Sequence, residues 1–127
     1  MSSKTAAGAA KRPTGGIIRA KGLTGIVTYG GGTVKITRHG LSQFNSGRGQ
    51  AEVELPVESI VCLDWKTPTF WTNGFIWFMV AGDTIKPWPS LMRMTAASGK
   101  DNAVVFKKSS LAAFRQVRDA VQAAIFE

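Results

Sequence analysis

Residues 75–81, FIWFMVA, form an unbroken apolar run of seven directly after the turn signal Asn73-Gly74. In a strand, successive side chains alternate between faces, which puts Phe75, Trp77 and Met79 on one side and Ile76, Phe78 and Val80 on the other. Both faces are apolar, so any fold built on this strand has to cover it twice. One face can fill a core. The other needs the rest of the chain, another protein or a membrane. A transmembrane helix is not the answer, because such a helix needs about 20 apolar residues.

The neighbouring segments read as short antiparallel strands cut by glycine. GIVTY at 25–29, the triplet GGG and TVKITR at 33–38 make a hairpin with Val34 and Ile36 inward and Thr33, Lys35 and Thr37 outward. After the glycine-punctuated LSQFNSGRG, the segment QAEVELP alternates, with Ala51, Val53 and Leu55 inside and Glu52 and Glu54 outside. SIVCLDWK at 59–66 is the next strand, and Asn73-Gly74 is expected to supply the positive φ angles of a tight hairpin into 75–81. Pro87 and Pro89 exclude a central strand around Trp88, leaving LMRMT as a short edge strand. NAVVFKK at 102–108 is a further strand. Ser109 or Ser110 then caps a helix whose Leu111, Phe114, Val117, Val121 and Ile125 recur at spacings of three and four. Its polar face carries Arg115, Arg118, Asp119 and Gln122, so the helix must dock by one stripe.

Six or seven antiparallel strands and one terminal helix predict a mainly β fold, a small barrel capped by the helix, in residues 23–127. Residues 1–22, rich in small and basic residues, read as an arm. The start at Gly25 to Arg38, the PVESI segment, TNGFIWF, DNAVVF and the helix FRQVRDAVQAAI together resemble the pleckstrin-homology-like domains of unknown function found in actinobacterial proteins. The resemblance covers roughly residues 23–126 and implies a pleckstrin-homology-like antiparallel barrel. It implies no particular activity. Phosphoinositide binders of that superfamily carry a compact basic cluster, whereas here only Lys35 and Arg38 stand nearby at a loose spacing.

The net charge of +8 is segregated. Residues 1–48 hold Lys4, Lys11, Arg12, Arg19, Lys21, Lys35, Arg38 and Arg48 and no acid, while 49–127 hold eight basic and eight acidic residues. Such a bias favours a polyanionic partner, whether nucleic acid, an anionic surface or an acidic protein; a solubilising arm is the plain alternative.

Catalysis and cofactor binding are not expected. His39 is the sole histidine, so neither a zinc cluster nor a Ser-His-Asp set can be assembled. Glu52 and Glu54 lie on the solvated side of an alternating strand, and YGGGT and SGKDN lack the full phosphate-loop pattern. The lone Cys62 is a small core residue. With no apolar signal segment near the N-terminus, the expected setting is cytoplasmic, with a virion-type assembly as the other. Trp65 and Trp77 are expected in the core or under the helix. Trp71 and Trp88, with Met92 and Met94, are the candidate protein interface. The terminal helix is expected to cover part of the outer face of strand 75–81 and leave the remainder for a partner. The reading is a non-catalytic protein-binding or scaffold module, open to homo-oligomerisation. Its rival is a binder of nucleic acid or an anionic surface through the arm.

Overall fold

The computed structural model describes residues 16–38, 52–84 and 87–126. Among these residues it has two antiparallel sheets and two α-helices. The first sheet takes strands in chain order: β1 (Ile18–Lys21), β2 (Gly25–Gly30), β3 (Thr33–Arg38) and β4 (Glu52–Pro56). Strand β1 therefore begins inside the segment that composition alone assigns to the arm. Gly31 and Gly32, at φ of 60° and 76°, close the β2–β3 hairpin, a turn that L side chains adopt only with strain. Its register pairs Tyr29 with Val34 and Val27 with Ile36, so the expected inward face forms and Val27, Val34 and Ile36 are buried.

A 3-10 turn at Val57–Ser59 carries the chain to the second sheet, β5 (Ile60–Lys66), β6 (Gly74–Val80) and β7 (Ala103–Phe106), with β6 in the middle. Helix α1 spans Ser90–Ser98 and α2 spans Leu111–Ile125. Among the described residues the sheets do not join into a closed barrel. They meet at one corner, where Leu23 N donates to Val105 O (2.8 Å) and Val105 N donates to Thr24 Oγ1 (3.1 Å). At the other corner the 3-10 turn replaces ladder pairing. No described helix is long and apolar enough to cross a membrane.

The double-faced strand β6 has two covers. Ile76 and Phe78 enter the main core with Val27, Val34, Ile36, Val104 and Phe106, closed by Phe114, Val117 and Val121 of α2. Phe106 and Phe114 stack at 4.2 Å between centroids, and Trp65 lies 5.3 Å from Phe106 at the edge of this core. Phe75, Trp77 and Met79 form a second cluster with Ala97, Ala103 and Val105, and Cys62 and Met94 pack against it half-buried. The expectation that α2 covers the outer face is thus corrected. Helix α2 closes the inner core, and α1 covers the outer face.

The segment LMRMT, residues 91–95, read as an edge strand, lies within the helix Ser90–Ser98. Pro89 precedes the first turn, where a missing N–H costs nothing, and Leu, Met, Arg and Ala favour the helix. Met94 and Ala97, three apart, face the sheet. Two further expectations change. Gly74 is not in the positive-φ region. It is required because a Cβ there would collide with Lys66 O and approach Pro68 Cδ to 2.6 Å, where the 67–73 loop folds back on the sheet. Ser110 occupies the N-cap position of α2 but makes no capping hydrogen bond, because its hydroxyl donates to Lys21 O (2.9 Å) and ties β1 to the helix.

Candidate functional site

The loop between β5 and β6 is ordered by its own polar groups. Thr69 Oγ1 accepts from Trp71 N (3.1 Å) and Thr72 N (3.0 Å) and shares a hydrogen bond with Thr72 Oγ1 (2.8 Å). Lys66 Nζ donates to Thr72 Oγ1 and Asn73 O, both at 2.9 Å, and Trp65 Nε1 donates to Thr67 Oγ1 (2.9 Å). Threonines suit this role because a short hydroxyl can stand in for a backbone partner in a tight turn. The outcome is an aromatic tip held in water. Phe70 is 76% and Trp71 86% exposed, edge to face at 4.9 Å.

Helix α1 is fastened differently. Arg93 Nε lies 3.1 Å from Asp64 Oδ2, an aspartate only 7% exposed, and Arg93 Nη1 donates to Trp88 O (3.0 Å). The same guanidinium stands 6.0 Å from the Phe75 ring, and Lys100 Nζ stands 5.8 Å from that of Trp77. With Met94 turned to the sheet, α1 leaves Leu91 and Met92 exposed by 54% and 52%, and Trp88, just ahead of the helix, is exposed by 40%. Met94 therefore leaves the candidate interface and joins the packing. Arg93 anchors Trp88 near Phe75, the residue paired with Lys66, so this stripe and the 67–73 loop approach the same end of the second sheet.

The expected basic set divides. Lys35 lies between Glu52 (4.0 Å) and Glu54 (3.8 Å), which also gives that glutamate pair its partner. Arg38 donates to the carbonyls of Lys100 and Ser98, fastening β3 to the end of α1. Neither is presented as an anion site. Arg19 and Lys21 are exposed on β1. Lys4, Lys11, Arg12, Arg48 and His39 lie outside the described residues.

A third polar group gathers at the turn from β6. Asp83 Oδ2 accepts from Val80 N (3.1 Å) and Asn102 Nδ2 (3.0 Å), while the same Asn102 nitrogen donates to Phe78 O (2.8 Å). Burial pushes the Asp83 carboxyl up, but those two hydrogen bonds and the positive field of Lys100 outweigh it and hold the group below the ordinary aspartate value. An open recess of about 390 Å³ adjoins it, lined by Val53, Leu55 and Val80 together with Lys100, Asp101 and Asn102. Among the described residues no group of three His, Cys, Asp or Glu side chains converges as a metal site.

Sequence reasoning singled out Trp71, Trp88 and Met92 but missed Arg93 and Asp64. They are 29 residues apart, and no local pattern joins them. No known family, curated protein or solved structure matches the chain.

Proposed function

We propose that this chain is a non-catalytic binding or scaffold module of pleckstrin-homology-like architecture that docks on a protein partner, its own copies included, through the outer side of α1. The order of four strands, three strands and a terminal helix supports the architectural reading. One observation carries the functional reading. Leu91 and Met92 stand exposed on α1, with Trp88 exposed just ahead of it, and a half-buried arginine and a buried aspartate clamp this helix in place. Leaving this much apolar area in water has no benefit to the monomer, and burying it at an interface stabilises by roughly 25 cal/mol per Å² before the cost of association.

Light scattering across a concentration series tests self-docking. The expected result is a mass that rises with concentration and falls back in Trp88→Ala and in Leu91→Ser/Met92→Ser, with the thermal midpoint nearly unchanged. Salt should leave the association unaltered or strengthen it, since screening weakens ion pairs and not apolar burial. A monomeric mass at every concentration removes self-docking, and equal association by the variants removes the stripe.

A further inference from the structure

The end of the molecule from which the aromatic tip projects is positively charged throughout. Register places its parts together. Gly74 pairs with Phe106, so Lys107 and Lys108 leave β7 beside Asn73 and the 67–73 loop. The Ser110 hydroxyl on Lys21 O, and Leu23 N on Val105 O, bring the β1–β2 turn to the same place. Residues 21–24, 66–73 and 107–115 contain Lys21, Lys66, Lys107, Lys108 and Arg115 and no carboxylate. Among the described residues no carboxylate pairs with Lys21, Lys107, Lys108 or Arg115, and all four are exposed.

We propose that this end binds single-stranded nucleic acid, with Trp71 and Phe70 stacking on bases and Lys21, Lys107 and Lys108 holding the phosphates. The inference goes beyond the protein-docking reading and uses different residues. Three features select the ligand. Neighbouring strands lie about 4.8 Å apart, so the ends of β5, β6 and β7 and the β1–β2 turn form a row, which suits a linear polyanion. The edge-to-face pair leaves ring faces open, and any base can stack on them, which makes the recognition tolerant of sequence. The tip also carries Thr67, Thr69, Thr72 and Asn73, polar groups that disfavour burial in hydrocarbon. The basic residues of 1–48, a segment with no acid of its own, add long-range attraction that is not confined to this row.

The test uses the full chain with a fluorescent 15-nucleotide oligothymidylate, a duplex of equal length and phosphatidylglycerol vesicles. The single strand should bind more tightly than the duplex. Trp71→Ala should weaken single-strand binding about tenfold or more, the range of one lost base stack, without moving the thermal midpoint. Lys107→Gln/Lys108→Gln should flatten the dependence of log affinity on log salt by about 1.4, from two lost phosphate contacts on a single strand. Equal binding by wild type and both variants would assign any affinity to the N-terminal segment and overturn the proposal. Binding to vesicles without binding to the oligonucleotide would overturn it in favour of a lipid surface, and no binding to any probe would overturn it outright. Loss of self-association in the Trp88 variant with oligonucleotide binding retained would separate the two surfaces.

Discussion

The two faces of β6 are covered by unlike means. On the inner face Ile76 and Phe78 meet large fully buried side chains from both sheets and from the fifteen-residue α2. On the outer face Phe75, Trp77 and Met79 meet the nine-residue α1, which contributes one fully buried side chain, Ala97. The inner cover holds by area and shape. The outer cover is too small for that and is also held by the Asp64–Arg93 ion pair, by Arg38 on the carbonyls of Ser98 and Lys100, and by cations placed over two rings. One strand thus carries a permanent core on one side and a thin cover on the other, and the exposed apolar stripe lies on the thin cover.

The largest expected effect breaks the inner face. Phe114 is fully buried and stacked on Phe106, so Phe114→Ala should cost about 3–5 kcal/mol and lower the thermal midpoint of the whole domain. Arg93→Met comes next, at roughly 3 kcal/mol, because it strands a buried carboxylate. Its signature should be local, with amides of residues 90–98 exchanging faster than those of α2. The double variant Asp64→Leu/Arg93→Met should recover much of the loss, since it removes the stranded charge along with the pair.

These contrasts show what the sequence made legible. Local periodicity located the β2–β3 hairpin, the alternation of β4, the double-faced β6 and the stripe of α2, because each is written in neighbouring residues. Helix α1 was not legible. Pro87, Trp88 and Pro89 dominate its approach, and its inward positions include Ala97, a residue that looks neutral until it is seen against Met79 and Trp77. Gly74 read as a turn glycine because Asn-Gly is the strongest hairpin signal, whereas its requirement comes from Lys66 and Pro68 across the loop. For the candidate sites, composition singled out Trp71 and Trp88, but the meeting of Lys21 with Lys107 and Lys108 depends on strand register and on Ser110, which no spacing encodes.

Smaller effects sharpen the account at its edges. The Arg118 guanidinium stands 4.6 Å from the Trp65 ring centroid, so it is not the inert surface charge that its place on the polar face implies. Arg118→Ala should cost about 0.5–1 kcal/mol, measurable in urea unfolding, and Arg118→Lys should recover part of it. The smallest effect concerns pH. Asp83 has its carboxyl held below the unfolded value, so its contribution is complete above roughly pH 4 and is lost as pH falls through the folded value. A stability profile from about pH 6 down to pH 2 should therefore fall less steeply in Asp83→Asn, with the difference confined to the acid limb.

The most direct measurement is amide hydrogen exchange of the full chain at low and high protein concentration, comparing residues 90–98 with residues 111–125. The expected result is that α1 exchanges at least tenfold faster than α2 when dilute and gains protection when concentrated, while α2 stays unchanged. Equal protection of the two helices at both concentrations would contradict the account, because α1 would then be neither a thin cover nor a docking surface.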